Sequence, residues 1–145
     1  MSEELIGAFD IRGKEDTGLT VDIAWNVGKA LADWLPSGGA VVVVYVPTHQ
    51  HIASAIIEGL RLQGRDVVDG GHGDKEAART HIKTGKLAGG AVVGFDDLEK
   101  MVTIELYGED ANLLGNETGL REIQELVQGG NFVPAAIKGE LVQTA

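Results

Sequence analysis

Apolar residues in this chain fall into short blocks whose spacing switches repeatedly between helical and extended periods. Over residues 21–35, Ile23, Val27, Leu31 and Trp34 recur at helical spacing, with Thr20 placed to cap and Asp22 in the first turn. Pro36-Ser37-Gly38-Gly39 stops that helix. Residues 40–46 are continuously apolar and rich in valine, the pattern of a central strand covered on both faces. A second helix follows near residues 50–63, with Ile52, Ala55, Ile56 and Leu60 on its buried side and Gly64 at its end. Residues 65–69 read as a short strand, and Gly70-Gly71-His72-Gly73 as a loop. A weaker helix over 74–84 stops at Gly85. Residues 90–94 form another short buried strand, and 101–107 alternate like a strand with one wetter face. Asn116 is placed to cap a last helix carrying Leu120, Ile123, Leu126 and Val127, ended by Gly129-Gly130. Residues 131–145 show no clear period and read as a tail or linker.

Strands alternating with helices require crossover connections, so the expected class is α/β. The expected architecture is a three-layer α/β/α sandwich with a mainly parallel four-stranded sheet plus one antiparallel edge strand. The whole of 1–145 is read as a single domain. Ligands of such sheets bind at the carboxyl ends of the strands. Three loops therefore matter most, at residues 47–51, 70–74 and 95–100.

Composition narrows the partners. The 12 Lys and Arg against 22 Asp and Glu give 12 − 22 = −10. That field repels polyanions, and with no basic cluster to offset it nucleic acid and anionic membrane surfaces are not expected partners. No cysteine is present, which removes disulfides, thiolate nucleophiles and zinc–thiolate sites together. The acidic start Met1-Ser2-Glu3-Glu4 has no apolar core of a secretory signal, and the longest apolar run is far too short for a membrane span. A soluble cytoplasmic domain is the expectation. The 21 glycines are about twice the usual ~7% share and point to many turns and close backbone approaches.

The segment Ala8-Phe9-Asp10-Ile11-Arg12-Gly13, followed by Thr20, Ala24-Trp25 and Val27-Gly28-Lys29-Ala30, resembles the opening of the α-D-phosphohexomutases. These phosphomannomutase/phosphoglucomutase enzymes begin with a Tyr-Asp-Ile-Arg-Gly type motif and then a helix with a Gly-Arg/Lys-Ala step. The likeness in layout runs on through the strand at 40–46, Glu58-Gly59-Leu60, Asp66-Val67-Val68-Asp69 and the glycine-rich strand at 89–94. It implies the first of four domains, the one that supplies a phosphoserine to shuttle phosphate within a hexose phosphate. It also implies where this chain departs. The family's Thr-Ala/Gly-Ser-His-Asn-Pro loop reads Val93-Gly94-Phe95-Asp96-Asp97-Leu98 here, so Phe95 stands at the serine position. Glu105 stands where the family keeps a lysine, and the family's Gly-Arg-Asp-x-Arg loop reads Tyr45-Val46-Pro47-Thr48-His49.

Phosphoryl transfer needs a hydroxyl nucleophile and cations to hold the phosphate. Phe95 offers no hydroxyl, and Asp96, Asp97 and Glu105 repel phosphate. The family's magnesium loop and sugar-binding domains have no counterpart in the 145 residues, so no metal or other cofactor is expected. The expected role is a binding or assembly module that has lost the catalytic serine, pairing with itself or with mutase-like domains, or holding a small phosphosugar. The alternative is one component of a split phosphohexomutase completed by other chains, or a repurposed carboxylate/His site.

The ligand-loop candidates are Arg12, His49, His51, His72, Asp96 and Asp97. Arg12 matches an arginine that faces the phosphoserine in the family, or else pairs with Asp96 or Asp97 to hold the loop. His49, His51 and His72, with Asp96 and Asp97, sit on three loops expected to converge. Two imidazoles and a carboxylate there match a divalent-metal set, against a bland reading of solvated histidines at a helix start. The loop at 70–73 is either an anion cradle at a helix N-terminus or a tight turn. Asp96, Asp97 and Glu99 are an acid/base cluster or a solvated loop. No Ser/His/Asp constellation stands out, since serine occurs only at Ser2, Ser37 and Ser54. Trp25 and Trp34 lie about 180° apart on one helix, so one of them, Trp25, marks an interface unless the helix is buried broadly.

Overall fold

A computed structural model describes residues 10–15, 17–36 and 38–143. Ala8 and Phe9, the first two positions of the family-like motif, lie outside the described residues, as do Met1–Glu4 and Ser37. The strands are β1 (Ile11–Lys14), β2 (Val41–Tyr45), β3 (Val67–His72), β4 (Gly89–Asp96), β5 (Met101–Tyr107) and β6 (Leu141–Gln143). The helices are α1 (Val21–Trp34), α2 (Gln50–Leu62), α3 (Lys75–Gly85) and α4 (Arg121–Gly129).

One six-stranded sheet runs in the order β1-β5-β4-β2-β3-β6. The pairs β4–β2, β2–β3 and β3–β6 are parallel, and β5 runs antiparallel to both β4 and β1. The α/β class and the mainly parallel sheet are as expected; the strand count is not. The antiparallel strand β5 is interior, because β1 closes the edge beside it. Four residues with two charges and a glycine give β1 no readable period. Its pairing rests on a partner ninety residues away, with Ile11 opposite Ile104.

The four central valines and tyrosine of β2 are buried on both sides and divide the core. Val41, Val43 and Tyr45 join α1, α2 and α4 on one face. Val42 and Val44 join Ala78 and Ile82 of α3 on the other. Three layers result, and among the described residues α3 is the only helix on its side. Thr20 caps α1 by accepting from the Ile23 N–H at 3.4 Å. Gly28 and Gly59 let α1 and α2 touch backbone to backbone: a Cβ at Gly28 overlaps the Ile56 carbonyl, and one at Gly59 overlaps the Trp25 carbonyl.

Three expected boundaries shift. Gly70, Gly71 and His72 belong to β3, not to a loop, with Gly71 at φ +74° where the register with β2 slips by one residue. The last helix begins at Arg121, after a separate π-type turn at Asn116–Leu120 closed by the Thr118 hydroxyl accepting from the Gly115 N–H. The Asn116 side chain, expected to cap, lies outside the described residues. Residues 131–143 form an anchored strap instead of a tail. The Ala135 and Gly139 amides donate to Leu62 and Arg61, Gln63 and Arg61 donate back to Val133 and Gly139, and β6 then pairs with β3. Its loops and single backbone bonds leave no hydrophobic period to read. Among the described residues no helix is long and apolar enough to cross a membrane.

Candidate functional site

Strands β1, β2, β3 and β4 all deliver their carboxyl ends to one edge of the sheet. There Pro47–His49 makes a single 3₁₀ turn between β2 and α2. The proline fixes the first φ of the turn, and the His49 N–H donates to the Val46 carbonyl at 3.1 Å. The turn points the His49 side chain inward, where it is only 4% exposed. Its Nδ1 lies 2.9 Å from Thr48 Oγ1 and its Nε2 lies 3.0 Å from Glu15 Oε2. One face of the imidazole stacks on Phe95 at 4.2 Å between ring centres and 23° between planes. His51 follows at 5.5 Å from the His49 ring. Glu15 is brought in because its own N–H donates to the Lys100 carbonyl at 3.0 Å, tying the end of β1 to the β4–β5 hairpin. A cavity of about 240 Å³ opens beside these groups, walled by Glu15, His49, His51, Leu19, Ile52 and Val102.

The other expected site residues do not join this cluster. His72 is exposed and meets the edge of the Tyr45 ring at 5.5 Å, while the Tyr45 hydroxyl donates to Asp69 at 3.1 Å. Burial first, and Asp69 second, push the Tyr45 hydroxyl above its usual value. Among the described residues no three His, Asp or Glu side chains converge as a metal set. Asp96 turns back on its own loop, accepting from the Leu98 and Glu99 amides at 3.0 and 3.2 Å. Asp97 pairs with Lys100 at 3.0 Å in full solvent. These two carboxylates build the hairpin turn.

Arg12 pairs with Asp10, through Nε at 2.9 Å and Nη2 at 3.2 Å, and not with Asp96 or Asp97. Strand alternation buries Ile11 and Gly13 and turns Arg12 outward. The hydrogen bond and charge of Asp10 raise the Arg12 guanidinium pKa further. Of the two readings of the 70–73 loop, the anion cradle is already filled: the Asp74 carboxylate accepts from the Glu76 and Ala77 amides at the start of α3. Glu105 sits on the α3 side of β5, opposite to Phe95, in a cavity of about 280 Å³ with Lys75, Arg79 and Tyr107. Burial, then Asp10, push its carboxyl upward against the pull of Lys75.

Trp25 is 36% exposed, and the Lys29 ammonium lies 3.3 Å from its ring centre. Trp34 is half-buried against the core and donates to Glu122 at 2.7 Å. The two indoles therefore do face different ways. Thr48 and Glu15 are the residues that sequence reasoning passed over. The Thr-His pair at the end of a buried strand was the available signal for one; Glu15 carries none, since a fold brings it 34 positions across to His49.

No family model matches the chain. A phosphomannomutase of Klebsiella pneumoniae is 33% identical over 140 residues, covering 94% of this chain and 89% of that protein. A phosphomannomutase of Salmonella typhimurium is 32% identical over 129 residues, covering 88% of this chain and 28% of that protein. This chain thus spans little more than a quarter of that relative's length. In shape it is similar to a putative phosphomannomutase from Thermus thermophilus, with a TM-score of 0.80 at 20% identity over 99% of this chain and 34% of that one. A phosphoglucomutase/phosphomannomutase family protein from Burkholderia thailandensis gives a TM-score of 0.78 at 22% identity, over 99% of this chain and 33% of that one.

Proposed function

The chain belongs to the phosphomannomutase/phosphoglucomutase family, and we propose that it serves there as a domain that binds or assembles without itself transferring phosphate from the β4 loop. The observation that supports this is the stack of Phe95 on His49. The family resemblance sets Phe95 at the serine position, and an aromatic ring there supplies no phosphate acceptor. The neighbouring Asp96 and Asp97 add negative charge where a transferred phosphoryl group needs cations. Its ligands are a phosphosugar held elsewhere on the surface, mutase-like domains of other chains, or a second copy of itself.

The test is an assay of the purified chain with glucose 1-phosphate and with mannose 1-phosphate, each with its 1,6-bisphosphate labelled in the phosphate. No isomerisation and no acid-stable label on protein are expected. Turnover by the chain alone, or label on the 93–98 loop, overturns the reading. A second reading is one component of a split mutase, since the match covers 28% of the Salmonella relative and mutase activity would need the remainder. Turnover that appears only after adding a chain carrying the remaining domains identifies that case.

A further inference from the structure

Thr48, His49 and Glu15 form a hydroxyl–imidazole–carboxylate chain with unbroken hydrogen-bond distances of 2.9 and 3.0 Å. With the imidazole neutral, its polarity follows from its partners. A carboxylate only accepts hydrogen bonds, so the Glu15 contact places the imidazole proton on Nε2. Nδ1 then carries the lone pair, and the Thr48 hydroxyl must be the donor to it. The imidazole is thereby held as a base toward the hydroxyl of Thr48, a residue exposed as a whole, and Phe95 stacks on the ring plane. Nucleophile, base and orienting acid are recognised by such roles and not by their order in a chain.

We infer that Thr48 Oγ1 is a nucleophile for acyl transfer, with His49 as general base, Glu15 as the residue that positions it, and neutral carboxylic esters as the substrate class. The charge beside the imidazole selects this class: Glu15, 3.0 Å from His49 Nε2, disfavours a phosphate ester but leaves a neutral carbonyl unaffected. In the step, Oγ1 bonds to the acyl carbon while its proton passes to Nδ1, and the carbonyl electron pair moves onto the oxygen. The positive end of α2, which begins two residues after Thr48 and has no side-chain cap, is assigned to stabilise that oxyanion. Collapse breaks the bond to the alkoxy oxygen, which leaves as an alcohol with the proton from Nδ1. Water then attacks acyl-Thr48, giving a proton to Nδ1, and Oγ1 leaves and takes it back. The balance is ester plus water to acid plus alcohol, with no co-reactant.

The experiment uses the full chain and p-nitrophenyl acetate, followed by p-nitrophenol release and by mass spectrometry of the protein. A burst is expected, with an acetyl group on the Thr48 peptide that hydroxylamine removes, as it removes esters but not acetyl-lysine. Thr48→Ala loses the burst and the ester adduct at least tenfold, Thr48→Ser keeps both, and Ser54→Ala on the exposed face of α2 changes neither. Glu15→Gln slows acylation without unfolding the chain, because an amide can also donate to Nε2. Nitrogen-15 spectra of labelled histidine then show Nδ1 protonated in part, whereas the unaltered chain shows Nε2 protonated alone. An absent burst, an adduct confined to lysines, or equal labelling in Thr48→Ala overturns the assignment. None of these readouts depends on mutase activity, so this inference and the proposed function fail separately.

Discussion

Tyr107 and Glu105 lie two apart on β5 and share its α3-side face, and burial moves both in one direction. It pushes the Tyr107 hydroxyl up to about 12, ahead of the added repulsion from Glu105. An acid raised by folding binds its proton more tightly in the native state. Its contribution is therefore complete below the unfolded pKa, near 10 for tyrosine, and is lost as pH climbs through the folded value. Lysines titrate over the same range, so the useful quantity is the difference between the native chain and Tyr107→Phe. Urea unfolding between pH 9 and 12 should show the native chain losing about 2 kcal/mol more than the variant. Parallel curves would mean that Tyr107 ionises as freely as in the unfolded chain. Glu58 runs the opposite way, since the Lys138 hydrogen bond lowers its pKa most and Arg61 adds to it. Its stabilisation is present above the ordinary carboxyl range and lost as pH falls through its lowered value. It is partly exposed, so that term is small.

At the scale of elements, the tightest constraint is the α1–α2 crossing. Reciprocal glycines sit where each helix meets the other's backbone, Gly28 against Ile56 and Gly59 against Trp25. The atoms in the way are carbonyls, which cannot rotate aside as a side chain does. Helix propensity alone favours alanine over glycine by about 1 kcal/mol. Overpacking of a core commonly costs about 1–3 kcal/mol, and backbone against backbone lies at the upper end. Gly28→Ala should therefore lower stability by about 1–2 kcal/mol net, read as an earlier midpoint in urea. A gain in stability would show the helices free to separate. These elements also mark what a sequence can tell. Helices α1 and α2 and the buried β2 were legible because their burial is periodic or complete within a short window. Strands β1 and β6 were not, because each is specified by a distant partner: Ile11 by Ile104, and Leu141 by Val67. The site divides along the same line. His49 and His51 were readable as polar residues after a buried strand. The carboxylate facing His49 was not, and Arg12 took the partner two positions away, not one across the sheet.

For the whole molecule the decisive quantity is the surplus of ten acidic groups. Five Lys and Arg ion pairs among the described residues are local or exposed: Arg12–Asp10, Arg61–Glu58, Arg79–Glu76, Lys100–Asp97 and Lys138–Glu58. Each exposed pair of this kind contributes about 0.2–0.5 kcal/mol, and salt weakens it. The unpaired surplus repels itself, which favours expansion of the chain, and salt weakens that as well. The two effects have opposite signs in a melting experiment. Pairs act within a few ångströms, where screening by 0.15 M salt is slight, since the Debye length there is about 8 Å. Repulsion among well-separated carboxylates acts across distances longer than that and is screened first. Stability should accordingly rise with salt, with the thermal midpoint climbing by a few degrees between about 10 mM and 150 mM sodium chloride. Potassium chloride should act alike, because screening depends on ionic strength and not on the cation. A midpoint that falls with salt would place the local pairs above the surplus charge as the dominant electrostatic term.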